Sequence, residues 1–299
     1  MERLKIAITG ASGFIGSNIF KYICKTHEVY ALSHSTKSWR LDERELIYLD
    51  ITNREKCKII MDKLKPDIVI HCAAYGINYN EKDPKKIIET NVIGTLNLLN
   101  SCTNVPMFIN TGSCFEYGIQ NKPIRENMNI APETTYGMSK ALSTNMLQSF
   151  SKIKSVTLRL FTVYGYHEAK YRLVPYLLYS SLSKTPAKLS NKHNVRDFVF
   201  IEDVVRAYEI ILKKYNKIEN MAIFNVGSGK QTSLNEIATM TGAQVKWEQS
   251  VRPKEPKRIW QADIQKIKKE LGWSPKYSLE KGIEKTREWM EHNIELYKT

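Results

Sequence analysis

Along the first half of the chain, short apolar runs alternate with longer stretches whose apolar residues recur at helical spacing. Leu4-Lys5-Ile6-Ala7-Ile8-Thr9 and the runs 29–32, 46–49, 68–71, 107–110 and 156–161 read as strands. The intervals between them suit the crossovers that join parallel strands. Ile19, Phe20, Ile23 and Cys24 form one face of a helix behind the first strand, and Pro66-Asp67 marks a turn before the fourth. This alternation predicts an α/β fold: a Rossmann-like doubly wound parallel sheet with helices on both faces. From Gly165 the periodicity loosens, and Tyr, Lys and Asn become frequent up to Asn194. Strands return at 199–201 and 222–226 around a helix at 204–214, and 279–297 reads as a terminal amphipathic helix. The expected division is a main domain over 1–165 with a return segment at about 196–226. A smaller C-terminal lobe takes 166–195 and 227–299.

Composition narrows the class. With 299 residues, 42% hydrophobic and 25% charged, the chain is long enough for both parts and ordinary for a globular protein. No apolar run approaches the roughly 18 residues of a membrane span, and Met1-Glu2-Arg3 leads straight into the first strand, leaving no room for a signal peptide. Five cysteines lack paired spacing and read as reduced thiols, which with the missing signal points to the cytoplasm. The net charge of +14 comes from scattered lysines rather than a basic block. It reads as a solvated surface that favours anionic substrates, not as a nucleic-acid site. The six histidines share no metal-ligand spacing, so no metal is expected.

The chemistry concentrates in three places. The first strand runs into Gly10-Ala11-Ser12-Gly13-Phe14-Ile15-Gly16 and then a helix. That order suits a dinucleotide pyrophosphate seated on the helix N-terminus. Tyr136-Gly137-Met138-Ser139-Lys140 puts a phenol and an ammonium on one helical face. Tyrosine is a poor acid–base group at neutral pH, with an ordinary pKa of about 10, and a neighbouring ammonium stabilises its phenolate. Such a pair alone means little on a helix surface. Ser113, upstream after the fifth strand, completes a hydroxyl, phenol and ammonium set.

These motifs, with Asp50-Ile51, His71-Cys72-Ala73-Ala74, Asn91-Val92-Ile93-Gly94-Thr95, Tyr117-Gly118, Arg159-Leu160-Phe161, Arg196-Asp197-Phe198 and Leu271-Gly272-Trp273, resemble the extended short-chain dehydrogenases/reductases acting on nucleotide-diphosphate sugars. The likeness spans nearly the whole chain. It implies that Ser113 hydrogen-bonds the reacting sugar oxygen and Tyr136 exchanges its proton. Lys140 would hold the nicotinamide ribose and tune Tyr136. It further implies cofactor contacts from Gly10, Ser12, Gly13, Phe14, Ile15 and Gly16, adenine contacts from Asp50 and Ile51, and ribose and phosphate contacts from Ala73 and Ala74. Asn91 is expected to support neighbouring loops.

Departures from the family pattern narrow the reaction. Sugar 4,6-dehydratases of this family place Asp-Glu after the hydroxyl residue, where this chain has Cys114 and Phe115; Glu116 is one position late, which in a strand would turn its side chain away. Dehydration by that route is disfavoured, and Cys114 reads as packing. Where NAD-specific relatives place Asp at the end of the second strand, this chain has Ser33, with Ser35, Lys37 and Arg40 following. Losing that repulsion favours NADP(H), with NAD(H) as the alternative. Thr162 replaces an asparagine common after Arg-x-Phe and is expected near the substrate. Arg196, Arg252 and Arg258 are expected on its diphosphate.

The expected partner is therefore a nucleotide-diphosphate sugar. The resemblance implies an NADPH-dependent 4-keto-6-deoxyhexose reductase of the CDP-abequose synthase kind, serving surface polysaccharides such as O antigen. A nucleotide-sugar 4-epimerase is the alternative, and a non-catalytic dinucleotide-binding sensor a third reading. Residues 166–195 and 228–260 are expected to read base and sugar, with Tyr164, Tyr166, Tyr176 or Phe224 as stacking platforms. A homodimer is implied through helices bearing Val92, Leu96 and Leu99, and Leu142, Met146 and Phe150.

Overall fold

Strand β1 (Lys5–Thr9) leads into helix α1 (Phe14–Ile23), and the same alternation continues. Strands β2 (Glu28–Ser33), β3 (Leu46–Tyr48), β4 (Ile68–His71), β5 (Met107–Ser113) and β6 (Ser155–Leu160) follow. The helices between are α2 (Arg54–Leu64), α3 (Pro84–Ile88), α4 (Gly94–Ser101) and α5 (Thr135–Met146). The computed structural model describes residues 3–78, 80–150, 152–248 and 259–297. Seven strands form the central sheet in the order Ala222–Val226, β6, β5, β4, β1, β2, β3. The register from β3 through β6 is parallel throughout.

Apolar residues on both faces of the strands explain why helices cover the sheet twice. Ile6, Ala7, Ile8, Ile68, Val69, Ile70, Phe108 and Ile109 are all fully buried. Ala7, Val69 and Phe108 on one face pack with Cys57 and Met61 of α2, Leu98 and Leu99 of α4, and Leu147. Strand order reverses at β1, whose neighbours are β4 and β2, and ligands of open α/β sheets bind outside the strand ends at such a switch. Gly10 and Ala73 lie at those two ends.

The chain divides into two compact units: Met1–Gly118, Glu126–Leu160 and Tyr208–Phe224 in one, Ile119–Arg125, Phe161–Ala207 and Asn225–Thr299 in the other. In the second, the short strands Thr162–Tyr164 and Phe198–Phe200 pair in parallel, and Val195–Arg196 pairs antiparallel with Thr232–Ser233. Tyr164 and Phe200 pack together, and a Cβ on Gly282 would lie 2.0 Å from the Tyr164 oxygen. Tyr164 and Phe224 are each 1% exposed, so both are core residues and not stacking platforms. Tyr166 gives its hydroxyl to Glu202, and the Tyr176 hydroxyl oxygen accepts from the Lys188 amide.

Several boundaries differ from the sequence expectation. The helix expected at 204–214 begins at Ile201, with Glu202 and Asp203 in its first turn where acidic groups suit the helix dipole. The terminal helix ends at His292, and a separate turn covers Ile294–Tyr297. Glu116 does not lie on a strand: Cys114–Glu116 form one 3₁₀ turn, which carries the Glu116 side chain inward to complete burial. Of the apolar residues assigned to a dimer face, Leu99 is buried in the cluster over the sheet, and Met146 and Phe150 pack against it. Leu142 is exposed, together with Ile93 and Met138.

Candidate active site

The glycine turn fits a diphosphate on steric grounds. A Cβ on Gly10 would lie 2.6 Å from the Ala73 nitrogen, and one on Gly16 would lie 2.4 Å from the Gly10 oxygen. Those two glycines are demanded by the protein's own packing. A Cβ on Gly13 would meet only the Gly10 oxygen, at 3.1 Å. Gly13 is also the cap of α1, with no side-chain cap bond and no acidic residue in the first turn. The amides of Phe14, Ile15 and Gly16 thus end the helix without an acceptor from within it, which suits an anion.

At the end of β2, Ser33 is buried. Its hydroxyl lies 2.7 Å from the Ser12 hydroxyl and accepts the Ser35 amide at 3.1 Å. Arg40 donates to the Ser12 carbonyl at 3.3 Å and stacks on the Trp39 ring at 4.2 Å. Ser12, Ser33, Ser35 and Arg40 are therefore brought together beside the glycine turn, whereas Lys37 is exposed. Asp50 accepts from the amide and hydroxyl of Thr52, Ile51 is buried under the α2 and α4 cluster, and Ala74 is exposed after β4.

The three expected catalytic groups sit on neighbouring elements of one unit. Ser113 ends β5 and caps the 3₁₀ turn, and its Oγ accepts the Phe115 amide at 3.2 Å. Thr134 caps α5 through the Gly137 amide, so the helix starts one residue before Tyr136. Gly137 is required here, because a Cβ would lie 2.5 Å from the Phe115 oxygen. Its absence lets α5 press onto the Ser113 turn, with the Phe115 and Tyr136 rings edge to face at 6.1 Å. Tyr136 is half-buried and Lys140 is 3% exposed. Burial lowers the Lys140 pKa, and the negative charge of Glu116 opposes that shift.

Asn91, expected to support neighbouring loops, does so as part of a longer polar chain that sequence reasoning missed. Asn91 lies in a π turn, Glu89–Ile93, and its side chain accepts the Tyr75 amide and donates to the Tyr75 carbonyl, both at 2.8 Å. The Asn91 carbonyl accepts the hydroxyls of Thr95 and Ser143, each at 2.6 Å. Because Thr95 spends its proton on that carbonyl, it accepts from His71 Nε2 at 2.9 Å. This assigns the Nε2–H tautomer, and His71 Nδ1 accepts from Thr9 at 2.7 Å. Burial, then the Lys140 charge, pushes the His71 pKa down to about 3, so the ring is neutral. Behind it the Thr111 hydroxyl contacts Tyr208 at 2.7 Å and Cys72 at 3.2 Å.

In the second unit, Arg196 stacks over Trp260 at 5.3 Å and donates to the Val195 carbonyl at 2.7 Å. The Thr162 amide donates to the Asp197 carbonyl at 2.9 Å. The Asp197 carboxylate accepts the amides of Ser228, Gly229 and Ala262 and the Ser228 hydroxyl, so it anchors the loops around Arg196. Thr162 and Arg196 are thus linked through Asp197, while Arg252 and Arg258 lie outside the described residues. Among the described residues no cluster of His, Cys, Asp or Glu could hold a metal ion. Among the described residues no helix is long and apolar enough to cross a membrane.

Residues 6–227 match the model of the NAD dependent epimerase/dehydratase family. The chain belongs to that family. Over 323 aligned residues it is 28% identical to the UDP-glucuronate 4-epimerase of Thermodesulfobacterium geofontis, covering 98% of each chain. It is 29% identical to the GDP-6-deoxy-D-talose 4-dehydrogenase of Aggregatibacter actinomycetemcomitans, over 78% of each. The UDP-glucose 4-epimerase of Thermotoga maritima, solved with UDP-glucose, matches with a TM-score of 0.87 and 27% identity. That match covers 97% of this chain and 100% of the other. The two 4-epimerases thus align with this chain along nearly its full length, and the solved one shares its fold.

Proposed function

We propose that this protein is a nucleotide-diphosphate-hexose 4-epimerase, carrying a bound nicotinamide dinucleotide. The observation that carries the reading is the complete Ser113, Tyr136 and Lys140 set beside residues 114 and 115 that supply no acid–base pair for dehydration. From the side chains, epimerisation needs one proton-exchanging group and a hydroxyl to hold the sugar oxygen; inversion further requires room for the 4-keto sugar to turn and present its opposite face. The nicotinamide, when bound, supplies reversible hydride exchange with C4 of the sugar. Tyr136 takes the proton of the 4-hydroxyl and later returns it, Ser113 donates to the same oxygen, and the Lys140 ammonium favours the phenolate. Arg196 would take the substrate diphosphate through its guanidinium fork. Similarity to two 4-epimerases along nearly the whole chain supports this over the reductase favoured by the sequence.

The second reading, an NADPH-dependent 4-ketoreductase, has one specific observation in its favour. No acidic residue ends β2, and Arg40 reaches the glycine turn beside Ser33. A single panel separates the two. UDP-, GDP-, dTDP- and CDP-linked hexoses and their 4-keto-6-deoxy forms are incubated with the protein, with reduced-nicotinamide absorbance and sugar configuration both followed. A change of configuration at C4 without net cofactor consumption is expected. Stoichiometric loss of NADPH with a 4-keto sugar would establish the reductase instead.

A further inference from the structure

We propose that Glu116 is a positioning residue for the Ser113 hydroxyl, working from a buried ion pair with Arg159; the proposal rests on the reading of Ser113, Tyr136 and Lys140 given above. Glu116 is fully buried and Arg159 is 2% exposed. Glu116 Oε1 accepts the Ser113 amide at 2.8 Å, and Oε2 accepts Arg159 Nε at 2.8 Å. One carboxylate therefore ties the backbone of the hydroxyl residue to the next strand, since Arg159 lies on β6 opposite Gly112 of β5. The Arg159 guanidinium is held in turn over the Tyr117 ring at 4.5 Å.

The consequence for Ser113 is directional. Glu116 fixes the turn, and the turn places the Phe115 amide against Ser113 Oγ at 3.2 Å. That bond engages a lone pair of the hydroxyl and leaves its hydrogen for donation outward, as a group meant to hold a substrate oxygen requires. Gly112 makes room for the pair: a Cβ there would lie 2.7 Å from Oε1 and 3.1 Å from Arg159 Cγ.

Glutamine cannot replace this carboxylate. Its single oxygen serves either the Ser113 amide or Arg159, and its NH₂ then faces the other donor. An apolar pair separates positioning from stability. Replacing a buried ion pair by hydrophobic residues of similar volume is often neutral or stabilising, yet it deletes the acceptor for Ser113.

The test uses the full chain with its cofactor, as Glu116→Leu/Arg159→Met, as Glu116→Gln, and each also in a Ser113→Ala background. Thermal midpoint, reduced-cofactor affinity by fluorescence, and kcat and KM on the best substrate of the panel are measured. The apolar pair is expected to stay folded with a lowered midpoint, because the buried Ser113 amide loses its acceptor, and to keep cofactor affinity and KM while kcat falls about 10- to 100-fold. In the Ser113→Ala background the same pair should change kcat by less than about threefold, because its target is gone. Should the apolar pair not fold, Glu116→Gln is expected to show the same split between kcat and KM and the same loss of effect without Ser113. Unchanged kcat in a folded Glu116 variant, or an equal loss in both backgrounds, overturns the proposal while leaving Ser113 in its role. Full activity of Ser113→Ala overturns the underlying reading instead.

Discussion

Asn91 and Ser139 meet side chain to side chain, Nδ2 donating to Oγ at 2.9 Å, and this bond ties the π turn before α4 to the helix that carries Tyr136 and Lys140. The same amide satisfies both backbone groups of Tyr75. Asn91→Ala removes three hydrogen bonds, two of them to the Tyr75 backbone, in a region where Asn91 itself is 1% exposed. A loss of about 2–3 kcal/mol is expected, read from the urea midpoint at unchanged slope. A loss below about 0.5 kcal/mol would show that water or a local shift replaces the amide.

The catalytic phenol has its own test. Tyr136→Phe retains the ring that packs edge to face with Phe115, so folding and cofactor affinity should be preserved. Turnover on the best panel substrate should drop by about 10²–10⁴. Undiminished turnover would remove Tyr136 from the proton transfer.

Protonation of His71 makes stability depend on pH with a definite sign. The folded ring holds its pKa at about 3, whereas the unfolded chain takes up the proton near pH 6.5. Its contribution is complete above that upper value and is lost as pH falls towards the lower one, at about 1.4 kcal/mol per pH unit. The stability of the native protein relative to His71→Gln should therefore shrink by about 2 kcal/mol between pH 7 and pH 5. Urea unfolding at both pH values measures it, and a constant difference would mean that the folded ring titrates normally.

Much of this frame was legible in the sequence because its signals are local. A continuous apolar run marks a strand buried on both faces, as Ile68–His71 shows. Glycines at fixed spacing mark the βα corner, and Tyr136 and Lys140 share a helix. Glu116 was illegible for a reason of register. Alternation assigns it outward on a strand, but the chain leaves β5 at Ser113 and a single 3₁₀ turn carries it inward to Arg159, 43 residues away. His71 similarly acquires its role from Thr9 and Thr95, which are distant in sequence. Its burial at a strand end was foreseeable, its tautomer was not.

Self-association is the expected assembly. Ile93 at 44%, Met138 at 50% and Leu142 at 42% exposure lie on the segments around α4 and α5, which pack against each other in this unit. Light scattering of the native protein should give twice the monomer mass, and Leu142→Arg, outside the Tyr136 and Lys140 pair, should weaken the dimer. A native protein that stays monomeric at every concentration would refute it.

The cofactor's second phosphate provides the test on which the two functional readings diverge. Ser33 places no negative charge at the end of β2, and its hydroxyl is held between Ser12 and the Ser35 amide. Arg40 is pinned over Trp39 with a guanidinium nitrogen at the Ser12 carbonyl; on the reductase reading it pairs with a 2′-phosphate on the adenosine ribose. A charge-assisted bond of that kind contributes about 1.5–3 kcal/mol. Arg40→Ala should therefore weaken NADPH binding by about 10- to 100-fold and leave NADH within about threefold. Fluorescence titration of both reduced cofactors measures the split. An equal effect on the two would make Arg40 a loop anchor only, and tight NAD with indifference to the phosphate would remove the observation that favours the reductase.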